Sequence, residues 1–410
     1  MRELAPDVIE CRLKRTVTDH LRHRWNIILA WAEGFVSSRF WMVKVTVLGV
    51  AFSILCSGGI DFYNLKHGYY GGYYKKIQHP LTDMSKAYEA GTHEAKLNYR
   101  LTVPVLLHPL NLSEYQALRW ALPIVTIVGV CLLIYFSCLV TFQITGDRVT
   151  SLFMTLFVSS TYLGSFGFIL CYDAITMAQV ILALAPRIPA FVRAALVFSA
   201  SFTDERGFMA VGLILIGDFC LLEQKGLRSM FTRRSMALLA GMASYWLARL
   251  VLVRWSDLPS PIKGVGPGTF VHHIEHWHPG IWFALEGGWL LAGLAVLLVW
   301  QERRRLRAFL FIATLIAMFA FCFANGDLVR TTSYALPLAF TTLWAVAGND
   351  HLRITRKYCF FAFFISAIGG NYNVYLNEIT WFLPLPVALI NQAAFDLYYI
   401  FRIYAFGEMP

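Results

Sequence analysis

A succession of long apolar runs, separated by short polar connections, constrains the fold of this chain more than any other feature. The first run covers about residues 41–59. Further runs lie at roughly 120–142, 150–171, 174–186, 189–202, 207–222, 235–254, 281–300, 308–324, 333–349 and 358–376, with a last apolar stretch over 381–406. A helix needs about 20 apolar residues to cross a bilayer. The pattern predicts an all-α, polytopic membrane protein with about 11 transmembrane helices, in a range of about 10–12.

The composition supports this prediction. Hydrophobic residues make up 57% of the 410 residues and charged residues only 15%, whereas soluble domains average about 45–50% and about 25%. Soluble, disordered, collagen-like and coiled-coil classes are therefore excluded. The cysteines lie mostly inside apolar runs without a CxxC spacing, which predicts small packing residues rather than a disulfide framework or a zinc site. These are Cys131, Cys138, Cys220, Cys322 and Cys359.

The net charge of +10 indicates orientation rather than nucleic-acid binding. Residues 1–40 are basic and lack a signal-peptide pattern, so we expect a cytoplasmic amphipathic arm on anionic headgroups. Residues 41–410 form one transmembrane domain in this interpretation, and its first outer loop, residues 60–119, carries amphipathic surface helices. Basic residues then concentrate in the inner connections, as the positive-inside rule requires. They include Arg148, Arg187, Arg193, Arg228, Arg234, Arg304, Arg353 and Arg356.

The scarce acidic residues gather on the opposite, outer side in this topology. Ionisable groups at the ends of several membrane helices, all at one face, indicate the rim of a pocket. A carboxylate there can remove a proton from an acceptor hydroxyl. The candidate catalytic carboxylates are Asp61 and Asp173, and the further rim residues are Asp204, Glu205, Arg206, Asp327 and Arg330.

Arginines at this outer face are suited to hold a phosphate through paired hydrogen bonds. Besides Arg206 and Arg330, the candidates are Arg249 and Arg254, near the outer end of the 235–254 run. An unpaired charge inside an apolar run costs about 2.5 kcal/mol or more. Arg249 therefore needs a partner, which we expect to be a lipid phosphate or Glu286.

Two aromatic and histidine motifs add candidate substrate contacts. Tyr63, Tyr69 and Tyr70 follow Asp61 and can stack on sugar faces or anchor a surface helix, with Lys75 and Lys76 near headgroup phosphates.

The histidine motif, His273 with His276, has the spacing of metal ligands on a helix, but the order HHxEHxH is not a zinc-protease signature. Substrate contact or interfacial packing is favoured over metal binding there. No metal ligand or cofactor is assigned, and a divalent cation stays open. No Walker loop, Rossmann glycine pattern or GxSxG elbow stands out, so nucleotide-driven transport and serine-hydrolase chemistry have no local support.

The layout resembles the GT-C superfamily of integral-membrane glycosyltransferases, in particular bacterial members of envelope polysaccharide and glycolipid assembly. The similar motifs are Gly59-Ile60-Asp61-Phe62-Tyr63, Arg100-Leu101-Thr102-Val103-Pro104, Tyr172-Asp173, Phe202-Thr203-Asp204-Glu205-Arg206 and Asp327-Leu328-Val329-Arg330 ahead of Pro337. The resemblance implies a polyprenyl-phosphate sugar donor and transfer on the non-cytoplasmic face. By position it implies Asp61 as the general base. Many members carry a paired acidic motif there, whereas Phe62 follows Asp61 in this chain.

The expected function is transfer of a sugar from that donor to a lipid-linked or polysaccharide acceptor, in the bacterial inner membrane. The expected partners are the donor, a glycan or glycolipid acceptor and membrane lipids, without nucleic acid. A polysaccharide polymerase or ligase is the first alternative, although its largest outer loop would lie in the later half of the chain. A lipid-linked sugar flippase or transporter is the second, but we find no internal repeat and the ionisable residues collect at one face rather than the midplane.

Overall fold

The computed structural model describes most of the chain as helices that pack into one bundle. The described residues are 6–57, 71–80, 99–166, 172–222, 231–256, 277–301, 304–324, 327–347, 352–369, 371–375 and 378–382. The helices are α1 (Pro6–Val36), α2 (Trp41–Cys56), α3 (Gly71–Gln78), α4 (Thr102–Leu107), α5 (Glu114–Thr145), α6 (Arg148–Ser160), α7 (Tyr162–Phe166), α8 (Asp173–Leu184), α9 (Ala190–Thr203), α10 (Arg206–Gly217), α11 (Arg233–Ser256), α12 (Trp277–Leu285), α13 (Gly288–Gln301), α14 (Arg305–Phe323), α15 (Leu328–Ser333), α16 (Pro337–Ala347) and α17 (Leu352–Gly369). The strands are β1 (Asn371–Tyr375) and β2 (Glu378–Phe382).

The centre of the bundle is α6, which is buried on all its faces from Val149 to Ser160. Helices α2, α5 and α17 pack around it. Hydroxyl groups of α6 donate to backbone carbonyls of the preceding turn, for example Ser159 Oγ to Thr155 O at 2.8 Å. These buried hydroxyls therefore have hydrogen-bond partners. Small residues let the neighbours come close: a Cβ on Gly49 of α2 would lie 2.9 Å from Ser159 Oγ. Close approach through small residues is typical of membrane helix pairs.

Three helices of the described part are long and apolar enough to cross a membrane, namely Glu114–Thr145, Arg233–Trp255 and Arg305–Phe323. The number rises to five if each of two bent pairs is one span: Asp19–Val36 with Trp41–Cys56, bent by 117°, and Trp277–Leu285 with Gly288–Gln301, bent by 85°. Large apolar side chains face outward on these helices, including Leu247 at 66% and Phe309 at 65% exposure. Outward apolar faces of this size indicate contact with lipid. The prediction of a membrane protein is confirmed, and the count of about 11 spans stays a prediction.

The short pair predicted at 174–186 and 189–202 is present as α8 and α9, which pack against each other. Arg193 closes the connection, since its Nε and Nη2 donate to the carbonyls of Ala183 and Ala185 at 2.8 and 2.7 Å. Those carbonyls belong to the last turn of α8 and its end, where cations satisfy the unpaired acceptors. The helices of this pair have 12 and 14 residues, fewer than a perpendicular span needs.

The prediction of an all-α bundle is confirmed, and a two-stranded hairpin follows the bundle near the C-terminal end of the described part. The predicted 358–376 helix ends at Gly369, and β1 and β2 then pair antiparallel with Asn371 opposite Phe382. Alternating β-branched and aromatic residues in both segments favour strands over a helix. Trp381, the predicted start of the last apolar stretch, therefore lies in a strand, and residues 383–410 lie outside the described part.

The two ends of the bundle carry different ion pairs. At the start of α6, Asp147 accepts hydrogen bonds from Thr150 N at 2.9 Å and Arg356 Nη2 at 2.7 Å. Burial would raise the pKa of Asp147, but the hydrogen bonds from Arg356 and Thr150 outweigh it and hold the pKa below its ordinary value. The opposite end of α6 lies about 20 Å away, at 1.5 Å per residue. That end carries the acidic residues of the predicted outer face.

Candidate functional site

A buried network of ion pairs joins residues from distant parts of the chain at one end of the bundle. We call it the charged cluster: Arg100, Asp173, Asp204, Glu205, Arg206, Asp327 and Arg330. Its members come from the segment before α4, the start of α8, the turn between α9 and α10, and the start of α15. The structure thus brings together six of the residues predicted at the outer face, namely Asp173, Asp204, Glu205, Arg206, Asp327 and Arg330.

Asp173 is the anchor of two arginines. Its side chain is fully buried, and its Oδ2 accepts from Arg330 Nε at 2.9 Å and Nη2 at 2.5 Å. Its Oδ1 accepts from the Tyr334 hydroxyl at 2.7 Å and lies 3.1 Å from Arg206 Nη2. Both oxygens are therefore engaged by strong donors. This arrangement favours a positioning role for Asp173 over the proton transfer that the sequence pattern predicts.

Asp204 is the second buried anchor. Its Oδ2 lies 2.8 Å from Arg100 Nη2 and 2.7 Å from Arg206 Nη2, and its Oδ1 accepts from Arg206 Nε at 2.8 Å. Burial would raise the pKa of Asp204, but Arg100 and Arg206 outweigh it and hold that pKa well below its ordinary value. Asp204 is therefore ionised at neutral pH.

Glu205 pairs with Arg100 in a two-point contact, with 3.1 Å from Nε to Oε2 and 3.1 Å from Nη2 to Oε1. Burial works against the charge of Glu205, and Arg100 is the main group that lowers the pKa of its carboxyl. The Glu205 side chain keeps 35% exposure, compared with 2% for Arg100. The cluster thus opens to its surroundings on the Glu205 side.

Local sequence explains why the cluster forms. Arg100 is tied to the end of α9, because Leu101 N donates to Phe202 O at 2.7 Å and Thr102 Oγ1 donates to Ser199 O at 2.8 Å. The turn after Asp204 also needs a glycine. A Cβ on Gly207 would lie 2.9 Å from Ala200 O and 2.9 Å from Thr176 Cγ2, so a larger residue would push α10 away from α8 and α9.

Beside the charged cluster lies a group of aromatic rings with one arginine, which we call the aromatic shelf: Tyr99, Tyr245, Trp246 and Arg249. Arg249 Cζ lies 4.1 Å from the centroid of the Tyr99 ring and 5.5 Å from that of Trp246, and Nη1 donates to the Tyr245 hydroxyl at 2.7 Å. Tyr99 directly precedes Arg100, so the shelf and the cluster share a chain segment. Within the described part of the chain, Arg249 contacts no carboxylate.

Glu286, one of the two partners considered for Arg249, does not pair with it. Arg249 lies on α11 against the aromatic shelf, whereas Glu286 lies at the break between α12 and α13, fully buried. The rings stabilise the guanidinium through cation–π contacts, which removes the need for an acidic partner. Arg254, the other predicted arginine of α11, is exposed and joins neither group.

The charged cluster and its hydrogen-bond partners include two residues that were not predicted as site residues. Arg100 stands in one of the motifs shared with the GT-C superfamily but had no assigned role, and Tyr334 was not singled out. A usable signal exists for Arg100, because no other Asp, Glu, Lys or Arg lies between Lys96 and Glu114. No comparable signal marks Tyr334, whose contact with Asp173 depends on how α15 meets α8.

Several predicted site residues lie outside the described residues. They are Asp61, Tyr63, Tyr69, Tyr70, His273 and His276. Among the residues that the structure does describe, no group of three or more His, Cys, Asp or Glu side chains could hold a metal ion. The described cysteines are all free and largely buried, which confirms that they are packing residues.

Lys76 on α3 departs from its expected place near headgroup phosphates. It is only 1% exposed, and its Nζ has no hydrogen-bond partner in the described segments. Helix α3 packs against α4 and the first turns of α5. Burial lowers the pKa of Lys76 to about 7. The ammonium form is disfavoured because it loses its hydration without gaining a counter-charge.

We expect Lys76→Met to stabilise the protein by about 1–3 kcal/mol below pH 7. The pKa in the folded state is about 7, against an ordinary value of 10.5. The unfolded chain therefore binds more protons between these values, and wild-type stability rises with pH across this window. The stability gained by Lys76→Met should therefore decrease as pH rises from about 7 to 10.5. Thermal unfolding at pH 6, 8 and 10 measures it, with exposed Lys357→Met as the control. A gain that does not shrink with pH would contradict burial of the charge as its cause.

Comparison with known proteins identifies no relative of this chain. No protein-family model, no curated protein and no solved structure matches the chain. The charged cluster and the aromatic shelf are therefore the basis for the proposed function.

Proposed function

We propose that this protein is a membrane glycosyltransferase that moves a sugar from a polyprenyl-phosphate-linked donor to a lipid-linked or polysaccharide acceptor on the extracytoplasmic face. One observation carries the proposal. A half-buried arginine, Arg249, lies across aromatic rings next to a buried ion-pair cluster and contacts no carboxylate in the described part of the chain. A cation held in this way is available to an anionic ligand.

The chemistry of the aromatic shelf fits a sugar phosphate. A guanidinium presents a planar set of N–H donors that matches a phosphate in two-point contacts. Tyr99 and Tyr245 are buried and hold Arg249 in place, whereas Trp246 is 45% exposed and offers a ring face of the kind on which sugars stack. Arg249 also lies on a helix long and apolar enough to span a membrane. A lipid-linked ligand can therefore reach it from within the bilayer.

The charged cluster holds the aromatic shelf in position and is not itself the proposed phosphate site. Its arginines are each engaged by carboxylates, so they are less free to bind a phosphate than Arg249. The cluster instead fixes Tyr99 through its neighbour Arg100, and it holds α8, α10 and α15 together. A site held by rigid, mutually bonded groups keeps its geometry for catalysis.

Asp61 is the proposed general base. Asp173 has both oxygens occupied by Arg330, Tyr334 and Arg206, which leaves it poorly placed to accept a proton. The chain leaves α2 after Cys56, and Ser53 near that end donates to the carbonyl of Gly164, beyond α6. Helix α7 in turn contacts α15 of the charged cluster. The segment that leads to Asp61 thus starts at the end of the bundle that carries the cluster, which supports the assignment.

The test is sugar transfer by purified protein in vesicles with polyprenyl-phosphate sugar donors. We expect a new glycosidic bond and, in Arg249→Gln, a donor KM about 10–100-fold higher, as loss of a charged hydrogen bond predicts. Arg249→Lys should keep part of the donor affinity, because lysine has the positive charge but cannot make the two-point hydrogen bond of the guanidinium. Arg233→Gln, exposed at the opposite end of α11, is the matched control.

Two results would overturn the proposal. One is an unchanged donor KM in Arg249→Gln. The other is sugar that crosses the bilayer without a new glycosidic bond, which would favour a transporter over a transferase.

A further inference from the structure

A further buried charge outside the charged cluster is Glu286, at the elbow between α12 and α13. The two helices bend by 85° there, and Glu286 itself has a positive φ of 44°, an unfavourable conformation for a residue with a side chain. Its side chain is fully buried. Neither carboxylate oxygen has a hydrogen-bond partner among the residues that the structure describes.

The elbow is tightly closed by its neighbours. A Cβ on Gly287 would collide with the backbone of Ala362 on α17, and one on Gly288 would lie 2.8 Å from Phe157 Cζ on α6. Only glycines allow this approach, so the sequence Glu286-Gly287-Gly288 dictates both the bend and the burial. The carboxylate is held inside packed protein, where it cannot turn outward to water.

The groups that face Glu286 do not neutralise it. From α17, Ser366 Oγ accepts a hydrogen bond from Gly287 N at 3.1 Å and lies near the carboxylate without meeting hydrogen-bond geometry with it. From α2, the thiol of Cys56 lies within electrostatic range. From α6, the ring of Phe157 lies against the nearby Gly288. Within the described ranges no arginine or lysine pairs with Glu286. A buried carboxylate without a counter-charge is strongly disfavoured.

We propose that Glu286 is a binding site for a single monovalent cation, either a proton or Na⁺. A carboxylate at a break between membrane helices is the recurring device by which membrane proteins hold such ions. A cation supplies the counter-charge that the described neighbours of Glu286 do not provide. This site is separate from the charged cluster and does not depend on the proposed sugar transfer.

The position of Glu286 also links the ion to the candidate site. Helix α12 packs on α15, where a Cβ on Gly280 would collide with Leu328. Leu328 is two residues before Arg330 of the charged cluster. A change of charge at the elbow therefore acts on a helix that touches the cluster through a rigid contact.

Labelling with dicyclohexylcarbodiimide tests the site in the purified, full-length protein. The carboxyl oxygen adds to the central carbon of the carbodiimide while the carboxyl proton moves to its nitrogen, and the acyl group then shifts to nitrogen as a stable N-acylurea. Peptide mass spectrometry should find one added reagent molecule on Glu286. A Na⁺ site would be protected by Na⁺ but not by K⁺. A proton site would ignore Na⁺, and its labelling would fall about tenfold per pH unit above its titration midpoint.

A second measurement covers the case in which the reagent does not reach the elbow. Glu286→Gln, a neutral isostere, should fold and should remove the Glu286 part of the pH or Na⁺ dependence of the thermal midpoint. Exposed Glu114→Gln should keep the wild-type profile. The proposal is overturned if Glu286 stays unlabelled and Glu286→Gln has the wild-type dependence on both pH and Na⁺.

Discussion

Asp204→Asn is expected to destabilise the protein by about 3–5 kcal/mol, because it breaks two buried ion pairs at once. Among the described carboxylates, it leaves Arg100 with only Glu205 and Arg206 with only Asp173. Asp204 lies 2.8 Å from Arg100 Nη2 and 2.7 Å from Arg206 Nη2, and all three side chains are at most 10% exposed. Asparagine keeps the shape but loses the charge. Urea or thermal unfolding in detergent, followed by the cooperative loss of helical signal, measures the change.

Charge balance provides the control for this prediction. In the double variant with Asp204→Asn and Arg206→Met, the pairs Arg100–Glu205 and Arg330–Asp173 remain intact. The double variant should therefore recover more than half of the lost stability. Asp19→Asn, which removes an exposed ion pair with Arg22, should change stability by less than about 0.5 kcal/mol. A double variant no more stable than Asp204→Asn alone would contradict the role of charge.

The pH dependence of this effect has a definite sign. The pKa of Asp204 is lowered, so its stabilising contribution is complete above the ordinary pKa of aspartate and is lost as pH falls through the lower folded value. The difference between wild type and Asp204→Asn should stay constant from about pH 5 to 8. It should shrink only in strong acid, where Asp204 itself becomes neutral.

The face on which the charged cluster forms could be predicted from the sequence. The apolar runs alternate direction across the bundle, so each polar connection falls at one end or the other. This rule brings Asp173, Asp204 and Arg330 to one end although they are far apart along the chain. The same rule separates them from Asp147 and Arg356, which pair at the other end. Alternation needs only the order of the runs, which the hydrophobic pattern supplies.

The partners within that face could not be predicted. Which helices are neighbours depends on packing between side chains of similar hydrophobicity, and the apolar pattern does not specify it. Glu286 was therefore considered beside a lipid phosphate as a partner of Arg249, whereas the structure places Arg249 against Tyr99 and Tyr245. The role of Arg100 also depends on a backbone contact between Leu101 and Phe202. The C-terminal hairpin was missed because β1 lies inside the apolar run predicted at 358–376 and β2 leads into the one predicted at 381–406.

Asp61→Asn is expected to lower kcat for sugar transfer by about 10²–10⁴-fold, the usual contribution of a well-placed general base. The donor KM should change little, because the phosphate is assigned to Arg249. Asp61→Asn should therefore lower kcat, whereas Arg249→Gln should raise the donor KM. Steady-state transfer rates at several donor concentrations measure both.

The pH profile distinguishes a base from a structural carboxylate. A base must be ionised, so kcat of the wild type should fall as pH drops through the pKa of Asp61, and Asp61→Asn should show no such fall. Glu114→Gln, which changes an exposed carboxylate at the start of α5, should keep the wild-type profile. If Asp61→Asn instead raised the donor KM at constant kcat, Asp61 would be a binding residue. A carboxylate whose loss leaves the rate at saturating donor unchanged cannot be the group that takes the proton.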